Sequence, residues 1–113
     1  MKKIEAIIRE EKFGEVKDAL EKIGVVGLNI LEVKGRGRQK GIKLQWRATS
    51  YVVDMLPKLK LNIVVKDEDV KRVIDAIVDS ARTGRNSGDG MIFVMPVEEV
   101  VRVRTGERGK DAI

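Results

Sequence analysis

The sequence predicts one α+β domain of the ferredoxin-like kind, ordered β-α-β-β-α-β, in which two helices cover one face of an antiparallel sheet and a C-terminal strand and tail follow. Three observations carry this. Short apolar runs rich in β-branched or alternating residues stand at Ile4–Ile8, Leu28–Val33, Leu59–Val65 and Met91–Met95. Two stretches with apolar residues at helical spacing separate the first pair of runs and the last pair. The chain has 113 residues, enough for one core but not two, and no low-complexity linker divides it, so a single domain spans 1–113.

The elements follow in order. Ile4-Glu5-Ala6-Ile7-Ile8 is apolar and β-branched, as a buried first strand requires. Val16, Ala19, Leu20 and Ile23 recur at i, i+3, i+4 and i+7, which predicts an amphipathic helix from about Lys12 to Ile23 with Gly24 as its C-terminal cap. Leu28, Ile30 and Glu32-Val33 begin a second strand. It runs into Lys34-Gly35-Arg36-Gly37-Arg38-Gln39-Lys40-Gly41, where small residues and cations interleave. From Gly41 to about Asp54 the chain is polar, lacks a clean period, and holds the only Trp (Trp46) and the only Tyr (Tyr51). A loop of that length in a small domain is usually functional or mobile.

Beyond Pro57, Leu59, Leu61, Ile63 and Val65 alternate with polar residues and mark a third strand with one buried face. Asp67 is placed as an N-cap, with Glu68 and Asp69 at the positive end of the helix dipole. Val70, Val73, Ile74, Ile77, Val78 and Ala81 then form the strongest helical stripe in the chain. A second glycine-rich turn over about 83–90, Thr83-Gly84-Arg85-Asn86-Ser87-Gly88-Asp89-Gly90, leads into the strand Met91–Met95 and a tail from about 97 to 113.

Composition narrows the function. Hydrophobic residues make up 42% and charged residues 36%, the balance of a compact soluble domain. The net charge is +5, from 23 Lys and Arg against 18 Asp and Glu, which favours anionic partners. Cysteine and histidine are both absent, so thiolate catalysis, disulfides and the side chain most used for acid-base work near neutral pH are excluded. No apolar run reaches the ~18 residues of a membrane span. Met1-Lys2-Lys3 leads straight into Ile4 without a signal-like segment, so the cytoplasm is the expected compartment and no membrane insertion is expected.

Three segments could bind an anion. The Lys34–Gly41 stretch reads either as a solvated turn or as a concavity of backbone N–H groups flanked by cations. In Val101-Arg102-Val103-Arg104 the valines would share one face of a strand and the arginines the other; the pair is either an edge-strand guard against aggregation or a clamp for phosphates. The turn from Gly84 to Gly90 follows a helix and precedes a strand, the reverse of a P-loop or dinucleotide fingerprint. No nucleophile-base pair can be identified.

Taken in order, Val33 to Gly41, Tyr51-Val52-Val53-Asp54-Met55-Leu56-Pro57-Lys58, Thr83-Gly84 with Gly88-Asp89-Gly90, Ile92-Phe93-Val94 and Val103-Arg104-Thr105-Gly106-Glu107 resemble the PII signal-transduction protein family, as does the opening Met1 to Arg9. The likeness covers essentially the whole chain. It implies a homotrimer that binds ATP or ADP between subunits, senses 2-oxoglutarate, and acts on an ammonium channel, an enzyme or a regulator through a mobile T-loop, here about 37–55. Gly35, Gly37, Arg38 and Gln39 would line the nucleotide, Gly88, Asp89 and Gly90 would wrap its phosphates and ribose, and Arg102 and Arg104 would reach the phosphates from the tail. Asn29 and Val64 fall where the family contacts adenine. The resemblance further implies Mg²⁺ held by Gln39, and 2-oxoglutarate held by Gln39, Lys40, Gly41, Lys58 and Arg9. Tyr51 and Thr49 fall where relatives are modified.

Two departures stand out against that pattern. Met91 stands where the family usually has a Lys aimed at the phosphates, and the turn through Arg85-Asn86-Ser87 is one residue longer than usual. Arg85 could partly replace the missing cation. A basic ferredoxin-like module that binds nucleic acid is the alternative, weakened by an aromatic content of only 4%. An enzyme is the third and least supported class, since neither His nor Cys is available and no acid-base pair stands out; a regulatory binding protein is expected, with at most slow incidental ATP hydrolysis.

Overall fold

The computed structural model describes the backbone of residues 1–37, 42–46, 49–53 and 55–113, and the side chains of 1–37 and 55–113. Its elements are β1 (Lys2–Ile8), α1 (Phe13–Lys22), β2 (Asn29–Gly35), β3 (Ile42–Trp46), β4 (Thr49–Val53), β5 (Leu56–Val65), α2 (Val70–Ala81) and β6 (Gly90–Pro96). Short 3₁₀ turns precede both helices at Glu10–Lys12 and Asp67–Asp69. Strands β2, β5, β1 and β6 form the main sheet in that order, and β3 pairs with β4 as a separate hairpin. With the hairpin set aside, the order is the expected β-α-β-β-α-β, and all three sheet pairings are antiparallel.

The register explains which residues the helices cover. Ile4 faces Ile63, and Ala6 faces Leu61 across β1 and β5. Strand side chains alternate between faces, so these residues and Ile8, Leu59 and Val65 share one side. Val16 and Leu20 of α1 and Val73, Ile77 and Ala81 of α2 close over that side, all buried. Each large side chain so enclosed contributes about 1.5–3 kcal/mol, and together they fix the helix pair on the sheet.

Among the described residues no helix covers the opposite face. Lys3, Glu5 and Ile7 of β1 lie beside Val64, Asn62 and Lys60 of β5 and beside Met95, Phe93 and Met91 of β6. Leu31, Met91 and Phe93 are exposed there. Glu5 bridges Lys3 at 3.1 Å and Lys60 at 3.6 Å, and these contacts, Lys3 foremost, hold its carboxyl below the usual range.

Three expectations change. The stretch from Gly41 to Asp54, expected as an irregular loop, contains the β3–β4 hairpin, with Ile42 opposite Val53 and Trp46 opposite Thr49. Asp67 makes no side-chain cap; its carboxylate turns to the Met1 nitrogen at 2.9 Å and to Lys2 at 3.7 Å, where two cations outweigh one backbone N–H. The Val101–Arg104 strand does not form. Val101 makes one isolated bridge to Arg108, and the chain turns at once, with Arg102 N–H donating to the Glu107 carbonyl at 2.9 Å and Gly106 N–H to the Arg102 carbonyl at 2.8 Å. Gly106 takes φ +73°, a conformation that ends extended structure, and Val103 at its tip is 99% exposed.

Candidate functional site

A cleft of about 380 Å³ opens at the end of the main sheet where β2 finishes and β6 begins. Gly35, Arg36 and Gly37 form one wall, Asn86, Ser87 and Gly88 the other, and Ile7, Leu56, Lys58, Met91 and Phe93 line it between them. The register makes this convergence unavoidable: Gly35 pairs with Leu56, Val33 with Lys58, and Ile8 with Gly90. Residues more than 50 positions apart in sequence are thus brought to one edge, Gly35 and Gly37 on one side and Gly88 and Gly90 on the other.

The second wall is built around Asp89. Thr83 donates its hydroxyl to Asp89 Oδ1 at 2.5 Å and its backbone N–H to Oδ2 at 2.9 Å, while Arg9 Nε donates to Oδ1 at 3.0 Å. The Thr83 hydroxyl, then its N–H and Arg9, hold the Asp89 carboxyl at about 2. Arg9 also donates to the Ser87 carbonyl at 2.6 Å, so a guanidinium that is 7% exposed ties two points of the turn to the end of β1. Gly90 enters β6 at φ +119°, and a Cβ there would stand 1.7 Å from the Ile7 carbonyl oxygen. Only glycine lets the turn come down this close to β1.

Lys58 is the second buried cation, 8% exposed, and it differs from Arg9 in its company. Its Nζ donates to the Gly88 carbonyl at 2.6 Å, and among the described residues no carboxylate lies within ion-pair reach. Burial, then the nearby Arg9 charge, lowers its pKa. A desolvated ammonium served by a neutral carbonyl is a position where a ligand carboxylate or phosphate gains most.

The remaining candidates lie elsewhere. Asn29 pairs with Asn62, whose Nδ2 donates to Asn29 Oδ1 at 3.0 Å, and Val64 pairs with Lys3, toward the opposite end of the sheet. Six residue steps along β5 separate Val64 from Lys58, about 20 Å. The tail leaves from that far end, with Val97 N–H on the Met1 carbonyl at 3.1 Å, and neither Arg102 nor Arg104 lines the cleft. Arg102 faces Glu107 at 3.5 Å. Arg85 turns outward to Glu11 at 3.7 Å and does not stand in for a cation at Met91. Arg38, Gln39, Lys40 and Gly41 lie outside the described residues, as do the side chains of Thr49 and Tyr51 in β4.

Sequence reasoning missed the roles of Thr83 and Ser87 and the anchoring of the turn by Arg9. No local signal carries them, because Arg9 and Asp89 are 80 residues apart. Among the described residues no group of three or more acidic side chains could hold a metal, and no helix is long and apolar enough to cross a membrane.

Fold and cleft together define a small ferredoxin-like domain with a glycine-walled, cation-bearing cleft at one end of its sheet. The family model described as nitrogen regulatory protein P-II matches residues 1–107. The chain is 58% identical over 113 residues to the nitrogen regulatory protein P-II of Azospirillum brasilense, covering all of both chains. It is 56% identical over 113 residues to nitrogen regulatory protein P-II 1 of Methanothermobacter thermautotrophicus, covering all of this chain and 97% of that one. The chain belongs to the nitrogen regulatory protein P-II family.

Proposed function

We propose that this protein is a nitrogen-regulatory sensor that binds ATP or ADP and, with MgATP in place, 2-oxoglutarate, and that it passes their occupancy to a partner protein through the segment 37–55. One observation carries the reading. The described candidate residues divide: Gly35, Gly37, Lys58 and Gly88–Gly90 stand at the cleft end of the sheet, Asn29 and Val64 lie about 13 and 20 Å from Lys58 toward the other end, and Arg102 and Arg104 lie on the tail, outside the cleft lining. A nucleotide touching both sets must lie between two copies, as the homotrimer implied by the family provides.

The residues present suit such ligands. The cleft falls within the range of small-molecule sites. Glycine backbones on both walls permit close approach of phosphates, and Lys58 supplies a buried cation for a carboxylate. Gln39 is the proposed Mg²⁺ ligand and, with Lys40 and Gly41, would complete the 2-oxoglutarate pocket; Mg²⁺ suits a site with one protein oxygen and several phosphate oxygens. The regulated partner is an ammonium channel, a metabolic enzyme or a regulator, and Tyr51 and Thr49 are candidate modification sites.

Calorimetry tests the reading. MgATP should bind alone, and 2-oxoglutarate should bind only after it, because the linkage runs through the shared site. Absence of nucleotide binding, or saturable 2-oxoglutarate binding without nucleotide, overturns it.

A further inference from the structure

Lys58 and Arg9 hold the turn 83–90 in different ways. Arg9 fixes the Ser87 carbonyl at 2.6 Å and the Asp89 carboxylate at 3.0 Å, and Thr83 secures that carboxylate from the other side. Between these two anchors only the Gly88–Asp89 peptide group is left to turn. Its carbonyl now points into the cleft at Lys58 Nζ, 2.6 Å away. Gly88 sits at φ +89° and tolerates the backbone rotations that a peptide flip demands.

We propose that the Lys58–Gly88 contact is a latch which a ligand carboxylate at Lys58 opens, flipping the Gly88–Asp89 peptide so that its N–H replaces its carbonyl at the cleft wall. This rests on the proposed 2-oxoglutarate site and assigns its coupling to the turn. The electrostatics favour the change. A carboxylate on Lys58 forms a charge-assisted bond that a neutral carbonyl cannot match, and the displaced carbonyl oxygen would repel the incoming anion. After the flip the Asp89 N–H faces the same anion and attracts it. One peptide group thereby reverses the polarity of the wall that also borders Gly90, so carboxylate occupancy is felt by the backbone proposed to wrap the phosphates.

Amide NMR and hydrogen exchange on the full chain saturated with MgATP, before and after adding 2-oxoglutarate, test this. The Asp89 amide should shift downfield and exchange about tenfold more slowly, the weight of one added hydrogen bond, while the Arg9 Nε–H signal stays in place. In Lys58→Met the Asp89 response should vanish. Binding of 2-oxoglutarate with no change at Asp89, a flip produced by MgATP alone, or a response that survives Lys58→Met overturns the latch and leaves the sensor reading intact. Failure of 2-oxoglutarate to bind the MgATP-loaded protein overturns both.

Discussion

Arg9 and Asp89 stand 3.0 Å apart, Nε to Oδ1, at the place where the last strand joins the sheet. The contact links the first strand to the second glycine turn across 80 residues of sequence. Its strength depends on Asp89 being ionised. That carboxyl is held at about 2, below its ordinary 3.8, chiefly by the Thr83 hydroxyl. A group whose folded pKa is depressed stabilises the fold above its unfolded pKa and loses that contribution as pH falls through the folded value. Stability should therefore decline between about pH 4 and pH 2 by on the order of 1–2 kcal/mol from this group, allowing for its partial exposure. Asp89→Asn should lower stability at pH 7 and flatten that part of the profile. Urea midpoints measured across the range read both effects; an unchanged slope in the variant would show that other carboxyls dominate.

Gly90→Ala should be among the most damaging single changes. The added Cβ meets the Ile7 carbonyl oxygen at 1.7 Å and its carbon at 2.7 Å, both backbone atoms within a paired strand, at φ +119°. Nothing flexible can move aside. A loss of about 3 kcal/mol or more is expected, from steric displacement added to backbone strain. Denaturant unfolding checks it, and a variant as stable as the parent would mean that β6 shifts its register freely.

Lys58→Met should behave oppositely. Its folded pKa is lowered by burial and by Arg9, so keeping the ammonium charged in the fold has a cost that Met removes at similar volume. Thermal stability should hold or rise, while 2-oxoglutarate binding in the presence of MgATP is lost. A clear drop in melting temperature would assign Lys58 a structural duty through Gly88 that outweighs its desolvation.

How far the sequence reveals this site depends on the range of the interactions. Ile4–Ile8, Leu59–Val65 and the α2 stripe declare themselves because their periodicity is local and is set by the core they face. Gly24 likewise appears where a left-handed residue ends α1, at φ +87°. Val101–Arg104 misleads because alternation is only half of a strand signal. Among the described residues it has no partner strand, and Thr105-Gly106 folds the segment back on itself. The β3–β4 hairpin escapes the sequence reading because the alternation of Ile42, Leu44 and Trp46 with Lys43 and Gln45 is short and set in a polar stretch that shows no clean period. The Arg9–Asp89–Thr83 cluster has no local signature. The cleft itself follows from strand register, and the separation of the other candidate residues from it emerges only once the strands are paired.

That division permits a test of the two-copy site. Arg104 is exposed on the tail turn, so Arg104→Ala should leave the fold unchanged. If it contacts phosphate from a neighbouring copy, nucleotide affinity should fall by about 10- to 100-fold, the usual weight of a charge-assisted hydrogen bond. Lys58→Met disables the other half. Refolding the two variants together would create junctions in which the intact cleft of one protomer meets the intact tail of the other, roughly a quarter of all junctions in a randomly mixed cyclic trimer. MgATP-dependent 2-oxoglutarate binding, weak or absent in each variant alone, should then reappear at about that stoichiometry in calorimetry. A mixture no better than the average of its parents would place Lys58 and Arg104 in separate sites.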